Sequence, residues 1–79
     1  MTSSEMLDLI AEALEVEPGT ITSDTRIADV PEWNSIGWLT IMSLVDERLN
    51  VQINSRDVRG FRTAGDVVEH VLGKAAPVS

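Results

Sequence analysis

Apolar residues recur with the period of a helix in three separate stretches of this chain, and each stretch is too short to be stable alone. Met6, Leu9, Ile10, Ala13 and Leu14 fall at i, i+3, i+4, i+7 and i+8, the spacing that gathers side chains into one stripe. Trp38, Ile41, Met42, Val45 and Leu49 share a second face, and Ala64, Val67, Val68 and Val71 a third. Isolated helices below about 12–15 residues are marginal in water, so the three stripes must bury one another. The expectation is an all-α fold: a small bundle of three main helices plus a short one.

Local signals set the boundaries. Thr2 with Glu5 three residues later reads as a capping box, and Pro18-Gly19 reads as a stop, which puts the first helix at about Ser4 to Glu15. Residues 17 to 34 form a long connection, with Pro31 opposing regular helix and Ile21, Ile27 and Val30 available to pin it to the core. Asn34 is a good N-cap for a second helix starting at Asn34 or Ser35 and ending near Asn50. Val51-Gln52-Ile53 reads as a short extended link. Ser55 reads as the cap of a brief third helix through Val58, ended by Gly60, and Thr63 with Asp66 caps the last helix. Ala75 to Ser79 reads as a frayed tail. The chain thus reads as one domain over 1–79, ordered over about 4–73.

At 79 residues the core is thin. No apolar run reaches the ~20 residues of a membrane span, and no basic stretch leads into an apolar one near Met1, so the reading is a cytoplasmic protein. The net charge of −7 is unevenly placed: residues 1 to 34 carry eight acids against the single base Arg26, and the remainder is balanced. Such a surface repels nucleic acid and anionic membranes and attracts basic protein patches.

Catalytic groups are scarce. There is no cysteine, hence no thiolate nucleophile and no zinc pattern. His70 is the only histidine and reads as a solvated surface residue. Asp24, Asp29 and Glu32 lack the alternating spacing and glycine of a calcium loop, and no glycine-rich phosphate loop is present. No metal site is expected. One position stands apart. Ser35 lies at the start of the second helix, at the end of the long loop. A serine there is usually only a first-turn residue, but unpaired N–H groups and the positive end of the helix dipole suit a phosphodiester.

The surroundings of Ser35 resemble the acyl carrier protein family. The family's Asp-Ser-Leu motif at the start of its second helix corresponds to Asn34-Ser35-Ile36. An apolar helix with an acidic end follows, as Leu39-Thr40-Ile41-Met42-Ser43-Leu44-Val45-Asp46-Glu47. The extended link, a polar third helix and the threonine-capped fourth complete the match over about residues 4 to 73.

The resemblance implies a carrier rather than an enzyme. A phosphopantetheinyl transferase attaches 4′-phosphopantetheine from coenzyme A to the Ser35 hydroxyl, and the arm's thiol holds acyl groups as thioesters for acyl-loading and acyl-processing enzymes. It also implies a monomer. Two departures bear on the pathway. Asn34 keeps the cap but loses the family's charge. Early acids of the second helix are replaced by Gly37 and Thr40, leaving Asp46 and Glu47 as the acidic docking signal. With the Pro31-Glu32-Trp33 approach to the serine, these departures point to polyketide, peptide or modified fatty-acid biosynthesis. The alternative is a carrier-fold interaction module that is never modified. Ile36, Leu39, Ser43 and Glu47 form the face opposite the core stripe, expected to meet partners with Asp46 nearby. Trp38, with Met42 behind it, is expected to lean inward where the arm leaves and to plug the entrance of any acyl cavity.

Overall fold

The computed structural model describes residues 2–75. Four helices follow in order: α1 (Ser3–Leu14), α2 (Ser35–Leu49), α3 (Ser55–Gly60) and α4 (Ala64–Ala75), with a 3-10 turn at Ile27–Asp29 inside the long first loop. The expected all-α bundle with a short third helix is therefore the fold. Of the expected tail, Ala75 closes α4 and residues 76–79 lie outside the described residues.

The three stripes meet as their periods require. Met6 and Ile10 from α1, Ile41 and Val45 from α2, and Val67 and Val71 from α4 are fully buried against one another. Truncating one of these to alanine removes both transfer energy and packing, about 2–5 kcal/mol for a large aliphatic side chain. On α2 only Gly37, Ile41 and Val45 are buried outright. Trp38, Met42, Leu44 and Leu49 are half-buried at the margins of that line.

The first loop is sutured to the α3–α4 connection. Ile27 N–H donates to the Arg62 carbonyl at 3.0 Å, Ala64 N–H to Thr25 at 2.9 Å, and Gly65 N–H to Ser23 at 3.0 Å. Ile21 is buried, and Ile27 and Val30 lie half-buried against the core. These contacts fix a segment that has no ladder of its own and deliver it to the start of α2. Among the described residues, no helix is long and apolar enough to cross a membrane.

Two local expectations need correction, and the end of α1, found at the expected place, has a different cause. α1 stops one turn before Pro18-Gly19: Glu15 takes the left-handed conformation (φ 58°) and Val16 N–H reaches back to the Ala11 carbonyl, so the backbone closes the helix before proline can. α3 is capped by Asn54 rather than Ser55. The Asn54 side chain accepts from Asp57 N–H at 2.9 Å while the Asp57 carboxylate accepts from Asn54 N–H, and the helix runs two residues past Val58. His70 is not a solvated residue. It is half-buried, its ring edge against Phe61 at 5.2 Å and its Nε2 3.3 Å from Asp57 Oδ2, off the line of a good hydrogen bond.

The cap of α4 makes a pH-dependent contribution. Asp66 Oδ2 accepts from the N–H groups of Arg62 (2.9 Å) and Thr63 (3.1 Å), and Thr63 Oγ1 accepts from Asp66 N–H. The backbone bond from Arg62, then that from Thr63, holds this carboxyl below its ordinary range. A lowered folded value means the contribution is full above the unfolded pKa, about 4 for aspartate, and fades as pH falls through the folded value. Asp66→Asn is therefore expected to lower the melting temperature by a few degrees at pH 7, with the gap from wild type closing in acid below pH ~4. Thermal melts at both pH values read this, and a gap that is constant with pH rules the charge out.

Candidate functional site

The start of α2 is built by two devices acting together. The Asn34 side-chain oxygen accepts from Gly37 N–H at 2.9 Å, and Trp38 N–H bonds the Asn34 carbonyl at 2.9 Å. Trp33, just before the cap, packs its ring on Trp38, the fourth residue of α2, with centroids 5.3 Å apart and planes at 57°. This is the hydrophobic staple that sets the angle at which a chain approaches a helix. Trp33 is 5% exposed. The staple and the Asn34 cap hold Ser35 at the first helical position, on the surface.

A close approach completes the corner. A side-chain carbon on Gly37 would fall 2.5 Å from the Glu32 carbonyl oxygen and 2.7 Å from Leu14 Cδ2. The loop backbone therefore lies directly on the first turn of α2, and no acid can occupy Gly37 without moving it. Position 37 is held empty by packing.

Electrostatically the corner favours an anion. α2 has no acid in its first turn. The N–H groups of Ser35 and Ile36 find no acceptor among the described residues, as expected of a helix start. Ser35 shares an open groove with Trp38, Leu39 and Met42 of α2 and with Ser55, Val58 and Arg59 of α3. No carboxylate and no imidazole lines this groove, so nothing in it can deprotonate Ser35; Arg59 adds one positive charge. An exposed hydroxyl, orphaned N–H groups and a nearby guanidinium suit a serine-linked phosphodiester.

The family model for the phosphopantetheine attachment site matches residues 4–71. The chain belongs to the acyl carrier family. The acyl carrier protein of Clostridium perfringens is 30% identical over 67 residues, covering 85% of this chain and 88% of that protein. The meromycolate extension acyl carrier protein of Mycobacterium leprae is 31% identical over 75 residues, covering 90% of this chain and 65% of that one. The acyl carrier protein of Rhodococcus erythropolis is 25% identical over 68 residues, covering 86% of this chain and 75% of that protein. No solved structure gives a significant match. The protein is a carrier of acyl intermediates, and its prosthetic group is 4′-phosphopantetheine.

In this acyl carrier the residues singled out from sequence fall into two sets. Ile36 (74% exposed) and Leu39 (66% exposed) flank Ser35, and Ser43, Asp46 and Glu47 continue along exposed α2. Trp38 and Met42 turn the other way, half-buried on the groove wall. Trp38 also stacks on Phe61 at 5.9 Å, so Trp33, Trp38, Phe61 and His70 form one row of rings from the start of α2 to α4. Sequence reading missed Trp33 as a core residue and Arg59 as a groove residue. The first had a legible signal, an aromatic on each side of the cap at staple spacing; the second depends on how α3 folds back and had none.

Proposed function

We propose that Ser35 is the attachment point, and that the protein is a non-catalytic, monomeric, cytoplasmic carrier working in a specialised acyl pathway, such as polyketide, peptide or modified fatty-acid assembly. The observation that carries the reading is the exposed Ser35 hydroxyl at an uncompensated helix N-terminus, inside the segment that the attachment-site family matches. With no base in the groove, a phosphopantetheinyl transferase supplies the proton acceptor, and Ser35 supplies the oxygen. The bound arm provides a thiol for thioester chemistry. This chain's own residues would orient it: Asn34 caps the serine's turn, the unpaired N–H groups of Ser35 and Ile36 together with Arg59 would meet the phosphodiester, and Trp38 and Met42 offer an apolar wall.

The specialised pathway is supported by the neutral cap Asn34 and by the exposed apolar residues Ile36 and Leu39 of the first two turns of α2, where a partner would find little charge. The kinship with a carrier named for meromycolate extension is in keeping with it. The acidic first 34 residues argue against nucleic acid and anionic membrane as partners. The test is the intact mass after incubation with coenzyme A and a broad-specificity transferase. A gain of one phosphopantetheinyl group supports the carrier, and no gain leaves the unmodified interaction module.

Docking is assigned to Ile36, Leu39, Ser43, Asp46 and Glu47. Two large apolar side chains beside a reactive hydroxyl suit contact with a partner's apolar patch. Leu39→Glu is expected to cut the transferase's kcat/KM for the carrier by about tenfold or more, the scale of losing one well-packed interface anchor, while circular dichroism is unchanged because Leu39 is outside the core. An unaltered kcat/KM assigns docking to another face.

A further inference from the structure

Helix α3 is the least secured element of the fold. It has 6 residues, none of them buried, well short of the length at which a helix holds itself in water. Among the described residues no backbone hydrogen bond joins it to another helix, and its polar tie to the bundle is one contact: His70 Nε2 of α4 lies 3.3 Å from Asp57 Oδ2. The same oxygen accepts from Asn54 N–H at 3.3 Å and so completes the capping box of α3. One atom therefore serves both the start of α3 and its contact with α4.

That contact is incomplete. Nε2 is shielded from solvent and has no hydrogen-bond partner, although a carboxylate oxygen stands beside it. A neutral ring gains little there: a bare nitrogen meets the oxygen lone pair against lone pair, and an N–H is off the line of a good bond. A protonated ring brings charge, and a charge-assisted bond is about twice as strong as a neutral one. Among the described residues Asp57 is the one carboxylate within 4.0 Å of the ring nitrogens, and Phe61 packs on the ring at 5.2 Å. Arg56 and Arg59 of α3, Arg62 after it, and Glu69 and Lys74 of α4 are exposed. The Asp66 carboxylate is taken by the N–H groups of Arg62 and Thr63.

We propose that His70 is a proton-operated latch on α3. In mild acid the imidazolium pairs with Asp57 and draws α3 onto α4. The attraction exists only while the proton is on the ring, so it is full in mild acid and fades as pH rises through about 5 to 8, where imidazoles lose their charge. Above that range α3 is held by the packing of Val58 and Phe61 alone. Ser55, Val58 and Arg59 form one side of the groove that contains Ser35, so the latch sets how firmly that side stands. The latch is independent of what Ser35 carries, and only its consequence for the arm rests on the attachment reading.

The chain contains one histidine, so in protein without an affinity tag the imidazole titration seen by NMR is unambiguous. Amide exchange of the unloaded protein, corrected for its intrinsic pH dependence, is measured at about pH 5.5 and about pH 8, near the two ends of the imidazole range. The Val58 and Phe61 amides, which bond the Asn54 and Val58 carbonyls, are expected to be about tenfold better protected in acid, the factor of one charge-assisted bond. The Ile10 amide of α1 is expected to change much less. His70→Gln keeps a donor and cannot gain charge, so its α3 protection is expected to be equal at the two pH values. Asp57→Asn keeps an acceptor for Asn54 N–H and removes the charge, with the same flattening expected. Protection of α3 that ignores the imidazole titration, a change shared equally by α1, or a pH dependence that survives His70→Gln overturns the latch. Where a variant does not fold, the wild-type comparison of α3 with α1 decides.

Discussion

Ser35→Ala is expected to remain fully unmodified after prolonged incubation with coenzyme A and a transferase, with its helical circular dichroism intact. The substitution deletes the acceptor oxygen and little else. Ser35 is exposed at the first helical position, and the capping bond belongs to Asn34, which accepts from Gly37 N–H. Alanine is a good residue inside a helix, so the change in stability should stay within a few tenths of a kcal/mol either way. The stringent control is internal. Asn54-Ser55 at the head of α3 repeats the local arrangement of Asn34-Ser35, with an asparagine cap followed by an exposed serine, and Ser55 lines the same groove. If attachment followed helix-start geometry alone, Ser55 would take over in the mutant. If it follows the longer α2 with its exposed Ile36 and Leu39, the mutant mass stays that of the bare chain. A peptide map showing modification at Ser55, or at Ser43 farther along α2, sinks the assignment.

That comparison shows what a sequence of this kind carries and what it withholds. The three stripes were legible because helix period and burial are the same information: Met6, Ile10, Ile41, Val45, Val67 and Val71 lie where the spacing puts them. Caps made by neighbours along the chain were legible at Thr2, Asn34 and Thr63. At α3 the reading slipped by one residue, because Asn54 and Ser55 are both competent caps and only the bond to Asp57 decides between them. The end of α1 was legible to within a residue at Glu15, but its cause was not, because a left-handed glutamate closes a helix as a glycine does, and a residue other than glycine gives little local warning of it.

The errors at the site have a different origin. Trp33 looked like a loop residue because its neighbours Pro31 and Glu32 are polar or helix-breaking, yet its pairing with Trp38 places it in the core. His70 looked solvated because helix periodicity says nothing of Phe61 and Asp57, which reach it from α3 and its end. Gly37 looked like a lost acid. Only the three-dimensional path of the loop, held to the α3–α4 connection by Thr25, Ile27 and Ser23, shows that the space beside it is already filled by backbone.

Gly37→Ala turns that last point into an experiment. In an open helix this change stabilises, by about 1 kcal/mol, because alanine loses less backbone entropy. Here the new carbon would sit 2.5 Å from the Glu32 carbonyl oxygen and 2.7 Å from Leu14 Cδ2. The leucine methyl is the end of a flexible side chain and can rotate away. The carbonyl cannot move alone: Glu32 adjoins Trp33, whose N–H bonds the Val30 carbonyl and whose ring is locked under Trp38. Relieving the clash therefore shifts the staple, the Asn34 cap or the axis of α2. Overpacking of this kind costs about 1–3 kcal/mol, enough to outweigh the gain in propensity. The expected result is a clear loss in the urea midpoint, with transfer of the arm to Ser35 slowed because the turn that presents it has moved. Gly73→Ala is the companion measurement. It lies in α4, and nothing stands within 4 Å of its added carbon, so it should gain up to about 1 kcal/mol. Opposite signs at the two glycines establish that the loop bears directly on the Ser35 turn. A gain at Gly37 would mean that the loop yields freely, and the staple would then lose its claim to hold the serine in place.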